Sequence, residues 1–578
     1  MDRPLIRDAF VRHERLRALW PWLPLWLVVA LIAIFQHGPM PLYSTRTLAV
    51  AWEMWHHHEF LVPHINGAPY SHKVPLLFWL IHAGWAVFGV NDVWPRVLEV
   101  LIGAAQLVLA TALARRLFPE RPWIARATPW MLMALSYAFL FDLQIMYEVL
   151  LAVCVLAALL CLTPRRDRGE PRWLLFALCV GAGLLTKGPV MLLHVAFPFL
   201  LGPLWNEWAA AHKRRWYLAG ALALLGGFAL LVAWVLPAAQ RGGAEYRHEL
   251  LFLQTAGRVV EAFDHARPLW WYLPWLPVVL FPFSAWPRAW VALATLRRPF
   301  EPGLRFLLCW LLPLLLAFSL VSSKQTYYLL PAFGGAVMLV ALAIARLRER
   351  GGAPATSVWL GPWPLAAGGF AFALMLFALP SVVASGRIDV DSESLHWLKD
   401  LSTASAPFGV VFLLLGALLL VRGRGELRRL AFAGLIGTAA AGTLFSLTLY
   451  PAGFDLAPTA RLLAHAEAQG RAIGNLGIYE GQYHWLGRLT RPVERLYEGD
   501  MLQDWARAHP DGLVVAYPSR LGADDLRYAL LVQPFRSVWI VVWEARALAA
   551  ERRGETPPEP RRPTDLQPTG YWRYLDTR

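Results

Sequence analysis

Thirteen stretches of this chain are apolar for about 17 to 25 residues each, enough to cross roughly 30 Å of hydrocarbon as helices. They fall near residues 20–36, 95–117, 123–141, 146–162, 172–186, 188–204, 217–239, 268–292, 304–321, 326–346, 360–384, 406–422 and 428–450. Inside a bilayer every backbone N–H and C=O needs a partner within the segment, so such runs fold as a bundle of spanning helices. Composition agrees: 57% hydrophobic and 16% charged residues, against roughly 45–50% and 25% in soluble domains, exclude a purely soluble protein. The first run follows Arg3, Arg7, Arg12, Arg15 and Arg17. It lacks a small-residue cleavage site and reads as an uncleaved anchor. Cys154, Cys161, Cys179 and Cys309 lie inside apolar runs and read as small core residues, not as a disulfide framework.

The connections orient the bundle. With the N-terminus in the cytoplasm, the inner connections are 115–126, 165–172, 213–215, 297–305, 346–350 and 422–429, all short and rich in arginine or lysine. The alternate connections are longer or sparser in positive charge, which is the positive-inside pattern. The formal net charge of +14 therefore sits mostly beside anionic lipid, and a nucleic-acid partner loses its support. An odd number of crossings places residues 451–578 outside. There a helical pattern at 462–468 and apolar strands at 473–479, 512–517 and 538–543 predict a small α/β domain, with 552–568 as a flexible tail. The expected fold is thus mainly α: a polytopic domain over 1–450 and an extracytoplasmic α/β domain over 451–578.

Polar residues that are hard to explain as scaffold gather on the outer side. The first outer loop, 37–94, carries Arg46, Glu53, His56, His57, His58, Glu59, His64, His72 and Lys73, and its segments 45–58 and 75–88 read as short interfacial helices. A second large outer loop spans 240–268. Adjacent histidines on one helix point in different directions, so His56–His58 read as a wet helix face and not as a metal site. Glu148, Lys187, Arg258, His265 and Lys324 follow on the same side. Lys187 and Lys324 each sit in a tight turn between apolar runs. One such lysine can snorkel. Two, joined by Lys73 and Arg258, point to an anion-binding pocket.

The segments 61–80 (LVPHINGAPYSHKVPLLFWL), 183–189 (GLLTKGP), 265–276 (HARPLWWYLPWL) and 322–331 (SSKQTYYLLP), in this order, resemble the bacterial protein O-mannosyltransferase and aminoarabinose (lipid A) transferase family of polytopic GT-C glycosyltransferases. The resemblance covers about 37–345. It implies a multi-pass protein of the bacterial inner membrane with a periplasmic C-terminal domain. It implies transfer of a sugar from undecaprenyl phosphate, or another polyprenyl phosphate, to lipid A, a polysaccharide or a protein, without a metal or cofactor. By the same resemblance Lys73, Arg258 and Lys324 contact the carrier phosphate with Tyr327 nearby. Lys187 is phosphate-facing or structural, Arg46 and His265 are further site residues, and Glu148 takes the place of a family aspartate.

One departure matters. The family carries an Asp-Glu pair about a dozen residues before its GluMet pair, the Asp being its expected catalytic residue. Here GluMet is Glu53-Met54, and Tyr43 and Ser44 stand where the acids belong. A hydroxyl acceptor needs a base, which contributes roughly 100- to 10,000-fold. An anionic phosphate acceptor needs none. The expectation is an active transferase with Glu148 as base or acceptor-orienting group. Two alternatives stand beside it: a homologue that binds the carrier or an envelope glycan without turnover, and a transporter of lipid-linked sugar.

Overall fold

The computed structural model describes residues 22–141, 144–164, 169–251, 267–297, 300–351, 357–387, 397–423 and 425–560. Contacts divide the chain into two compact units, one built from Met1–Phe35, Ser71–Leu374 and Gly409–Gly442, the other from Gln36–Tyr70, Met375–Phe408 and Thr443–Arg578. This differs from a division at residue 450, because Gln36–Tyr70 packs with the C-terminal residues.

The first unit is helical, and the chain is a multi-span membrane protein. Among the described residues seven helices are long and apolar enough to cross a membrane: Val93–Leu117, Lys213–Arg241, Pro302–Leu320, Thr326–Glu349, Trp363–Ala384, Trp397–Leu420 and Glu426–Leu447. Five shorter apolar helices accompany them, including Leu23–Gln36, Tyr147–Leu162, Trp173–Lys187 and Val190–Leu200. Thirteen crossings are therefore not what helix length alone returns. Proline accounts for the largest difference. It removes a backbone donor and clashes with the preceding turn, and the run 268–292 contains Pro268, Pro274, Pro277, Pro282 and Pro287. That run is broken into Tyr272–Val279, Pro287–Leu293 and two single 3₁₀ turns.

Where helices are continuous, small residues set their approach. Trp173–Lys187 and Lys213–Arg241 meet so closely that a Cβ on Gly227 would stand 2.9 Å from the Ala177 carbonyl oxygen, the close backbone contact that glycine permits between membrane helices. One end of the unit is tied by ions. Arg121 reaches Glu301 at 2.5 Å and forks onto Glu349 at 2.6 and 3.0 Å, while Arg346 takes the other Glu301 oxygen at 2.9 and 3.1 Å.

The second unit pairs the short strands His64–Ile65 (β1) and Ala68–Pro69 (β2) and contains a five-stranded sheet of Ile473–Leu476 (β3), Glu494–Leu496 (β4), Leu513–Ala516 (β5), Leu531–Phe535 (β6) and Val538–Glu544 (β7), in the order β4-β3-β5-β7-β6. β3 is parallel to β4 and β5, and β7 is antiparallel to β5 and β6. Strand alternation sends Leu513, Val515, Ile540 and Val542 into one core and Val514, Trp539, Val541 and Trp543 into the other. This is the expected α/β domain with two strands added, and both are edges. β4 is three residues long and β6 holds Pro534, a residue tolerated at a sheet edge. The expected tail at 552–568 begins in ordered contact, with Pro557 buried and Arg527 paired to Glu559 at 3.2 Å. Residues 561–568 lie outside the described residues.

The helix Tyr43–His56 is not the half-wet interfacial helix its sequence suggests. Ser44, Thr45, Thr47 to Ala51, Glu53 and Met54 are all buried, because small side chains on its surface admit other backbone. Gly481, at φ 73°, comes so near that a Cβ there would meet Ile65 Cγ1 at 2.9 Å and Ala49 Cβ at 3.2 Å.

Candidate functional site

In the first unit, two antiparallel helices build the centre of the site. Tyr147–Leu162 starts with Glu148 in its first turn, and Trp173–Lys187 ends on Lys187, closed by Gly188 at φ 63°. An acid at a helix N-terminus and a base at a C-terminus are each favoured by the helix dipole. The antiparallel arrangement brings those two ends together, and Lys187 Nζ donates to Glu148 Oε1. Glu148 is 1% exposed, so removing either partner strands a buried charge, a change that costs about 3–5 kcal/mol.

Aromatic rings complete the surround. Lys187 Nζ lies 4.5 Å from the centroid of the Tyr328 ring and 5.5 Å from that of Tyr327, and Lys73 Nζ lies 5.0 Å from that of Tyr147. These are cation–π distances. The 3₁₀ helix Thr326–Ala332 carries both tyrosines. It is held by Tyr137, whose hydroxyl meets Thr326 Oγ1 at 2.5 Å, and by Tyr272, whose hydroxyl donates to the Gln325 carbonyl at 3.2 Å. Lys324 donates to the carbonyls of Val321 and Arg267 at 2.5 and 2.9 Å. Its ammonium thus closes the end of the Pro302–Leu320 helix and holds the segment entering the next one.

Of the sequence-predicted residues, Lys73, Glu148, Lys187 and Tyr327 join one run of contacts through Tyr147, and Lys324 stands three positions before Tyr327. Arg258 and His265 lie outside the described residues. Tyr43 and Arg46 belong to the second unit, where Arg46 is paired with Glu480 at 2.6 Å. Glu148 is the buried member of this run. Its carboxylate is engaged by Lys187, and accepting a proton would dissolve that pair. Tyr137, Tyr147, Tyr272 and Tyr328 were not singled out in the sequence, although the doublet Tyr327-Tyr328 and the pair Tyr147-Glu148 sit beside residues that were.

The second unit holds a polar core that sequence reasoning missed. Asn66 and Gly67, both at positive φ, form the two-residue turn between His64–Ile65 (β1) and Ala68–Pro69 (β2), the turn that Asn-Gly favours. Glu53 accepts both turn amides, that of Gly67 at 2.9 Å. The Asn66 side chain exchanges two hydrogen bonds with the Val493 backbone, at 2.9 and 2.8 Å. His484 Nε2 stands 3.6 Å from Glu53, and its Nδ1 is 2.7 Å from the Tyr479 hydroxyl. Burial raises the Glu53 carboxyl above its ordinary range against the pull of the two amides, and burial lowers His484 to about 4. The motif around Asn66 is thus a hairpin hung on a buried carboxylate.

Residues 72–234 match the family described as dolichyl-phosphate-mannose-protein mannosyltransferase. An undecaprenyl phosphate-alpha-4-amino-4-deoxy-L-arabinose arabinosyl transferase of Pseudomonas paraeruginosa is 31% identical over 340 residues, 55% of this chain and 58% of that protein. The protein of the same name from Erwinia tasmaniensis is 29% identical over 310 residues, 52% and 54% of the two chains. The match therefore spans little more than half the length of these relatives. The crystal structure of ArnT from Cupriavidus metallidurans bound to undecaprenyl phosphate has the same fold, with a TM-score of 0.66 at 20% identity, covering 90% of this chain and 98% of that one. On the matched segment and the shared fold together, this chain is similar to the aminoarabinose transferases in part of its sequence and has the fold of one of them.

Proposed function

We propose that the protein transfers a sugar, a pentose such as an aminoarabinose, from a polyprenyl-phosphate carrier to an acceptor at the outer face of the bacterial inner membrane. The N-terminus is cytoplasmic in this reading and the C-terminal domain periplasmic. The observation that carries it is the placement of Lys73 and Lys187 on either side of Tyr147 and Glu148, with Tyr327 and Tyr328 against Lys187. Cations held on aromatic faces near hydrocarbon suit the phosphate of an amphipathic carrier, and they stabilise that phosphate as it leaves. The acceptor oxygen bonds to the anomeric carbon while the bond from that carbon to the phosphate oxygen breaks, its electron pair leaving with the carrier. Glu148 holds Lys187 in position. Arg258 and Lys324 belong to the same phosphate-binding set in this reading, with His265 near the acceptor.

The replacement of the family Asp-Glu pair by Tyr43-Ser44 favours an acceptor that is already anionic, such as a lipid A phosphate, over a polysaccharide or protein hydroxyl. It also motivates the second reading, a homologue that binds carrier and does not turn over. Mass spectrometry of envelope glycolipids, polysaccharides and glycoproteins from cells with the gene, without it, and with Lys73→Ala decides between them. A pentose-sized mass increment on a phosphorylated glycolipid, lost in the variant, is expected. Identical spectra in all fractions, with carrier binding retained by the purified protein, would leave only the second reading.

A further inference from the structure

The helices Tyr147–Leu162 and Trp173–Lys187 carry three of the four cysteines, and no role above uses them. Cys161 and Cys179 lie one on each of these helices. One heptad toward the other end of the pair, the Cys154 sulfur meets the Thr186 hydroxyl at 3.9 Å. Position 154 is seven before 161, and 186 is seven after 179. The antiparallel register therefore sets Cys161 against Cys179 in the layer next to the Cys154–Thr186 contact, along a seam in which knobs recur every seven residues. The Cys161 layer lies at the end where the Arg172 amide bonds the Cys161 carbonyl at 3.1 Å, the Arg172 side chain reaches Leu160 O at 3.3 Å and that of Arg116 reaches Thr163 O at 3.2 Å. Cys309 lies on another helix, Pro302–Leu320.

We propose that Cys161 and Cys179 are an oxidisable thiol pair at which these two helices become covalently joined. The oxidant is a small disulfide. The thiolate of one cysteine attacks it and expels one thiol, and the second cysteine attacks the resulting mixed disulfide and expels the other. Two electrons pass from the pair to the oxidant, and the two cysteine protons leave on the released thiols. On the positive-inside orientation this end faces the reducing cytoplasm, so the resting form is the dithiol. The joined form fixes the register of the two helices whose opposite ends hold Glu148 against Lys187. The pair is thus a redox-addressable staple beneath the candidate site, and it stands whether or not the transferase reading does.

The test treats the full-length protein in membranes with dipyridyl disulfide, blocks remaining thiols with N-ethylmaleimide and maps the digest. Two thiopyridones released per chain and a linked peptide containing residues 161 and 179 are expected, with Cys154 and Cys309 alkylated. The linkage is expected to be reversed by a phosphine and absent in Cys161→Ser. A retained pyridyl adduct on either cysteine, or a link from Cys179 to Cys154, overturns the pairing. The wild-type chain serves as its own control for stability: a rise of a few degrees in melting temperature on oxidation is expected, and an unchanged value overturns the staple.

Discussion

Two ends of the helical unit handle charge in opposite ways. At one end Arg121 and Arg346 share Glu301, and Arg121 forks onto Glu349. Guanidinium and carboxylate match in a planar, bidentate geometry, and the result is a latch. At the other, Lys73 leans on the Tyr147 ring, Lys187 on Glu148 and two tyrosine rings, and Lys324 on two carbonyls. The chain contains five lysines among its 54 basic residues, so placing three of them here runs against a strong preference for arginine. The ammonium is compact, and each aromatic ring against it holds it weakly, by about 0.5–2 kcal/mol. An arriving phosphate can displace such partners, whereas a saturated arginine fork offers it nothing. On the proposed function, the difference separates a site that exchanges ligands from one that only holds helices together.

That contrast can be broken by experiment. The largest effect is expected from Lys73→Ala and Lys187→Met, each lowering glycolipid modification per folded molecule by roughly 100-fold, the scale of losing one charge-stabilising group. Lys187→Arg is expected to restore little of it. Full activity in that variant would mean that the outer lysines are chosen for charge alone.

A pH scan isolates the second unit from both ends. His484 is depressed to about 4 from 6.5. Its contribution to stability is therefore complete above pH 6.5 and lost as pH falls toward 4, amounting to about 3 kcal/mol. Glu53, shifted upward, works in the other direction: it gains stability as pH falls through its raised range. The net acid loss should persist in Lys187→Met and flatten in His484→Gln, as read by thermal melting between pH 7 and 4. A slope that follows the Lys187 variant would tie it to the wrong region. Glu53→Ala, which leaves two buried turn amides without their acceptor, is expected to cost about 2–3 kcal/mol at pH 7 in the same assay.

The smallest effect belongs to the latch. Glu301→Gln is expected to cost about 1 kcal/mol, since its partners are partly exposed, and to leave glycolipid modification per folded molecule as it was. Lost modification at unchanged stability would show that this end takes part in function.

Much of this arrangement was legible in the chain. Apolar length identified a membrane bundle, and the turns around Lys187 and Lys324 stood out because charge near hydrocarbon needs a reason. What was not legible depends on partners distant in sequence. Glu148 and Lys187 were separate site residues in the sequence, and helix packing joins them in one ion pair. Arg46 finds Glu480 at a separation of 434 residues, and no local pattern announces that. The run at 268–292 is apolar enough to read as a span, yet its prolines carry the opposing information. Tyr43–His56 reads as half-wet because its threonines and serine are polar, though their hydroxyls are buried: that of Thr47 bonds the Tyr43 carbonyl at 2.9 Å.

The Asn66–Gly67 hairpin imposes an order on synthesis. Its side-chain partner, the Val493 backbone, lies 427 residues further along the chain. At about 5–20 residues per second that partner emerges roughly 20 to 85 seconds later. Throughout that interval this loop has its turn sequence and its Glu53 and lacks the surface that completes it. The last fifth of the polypeptide therefore acts on the first as an internal template, and a chain stopped before residue 484 is expected to insert its helices with this loop still unset.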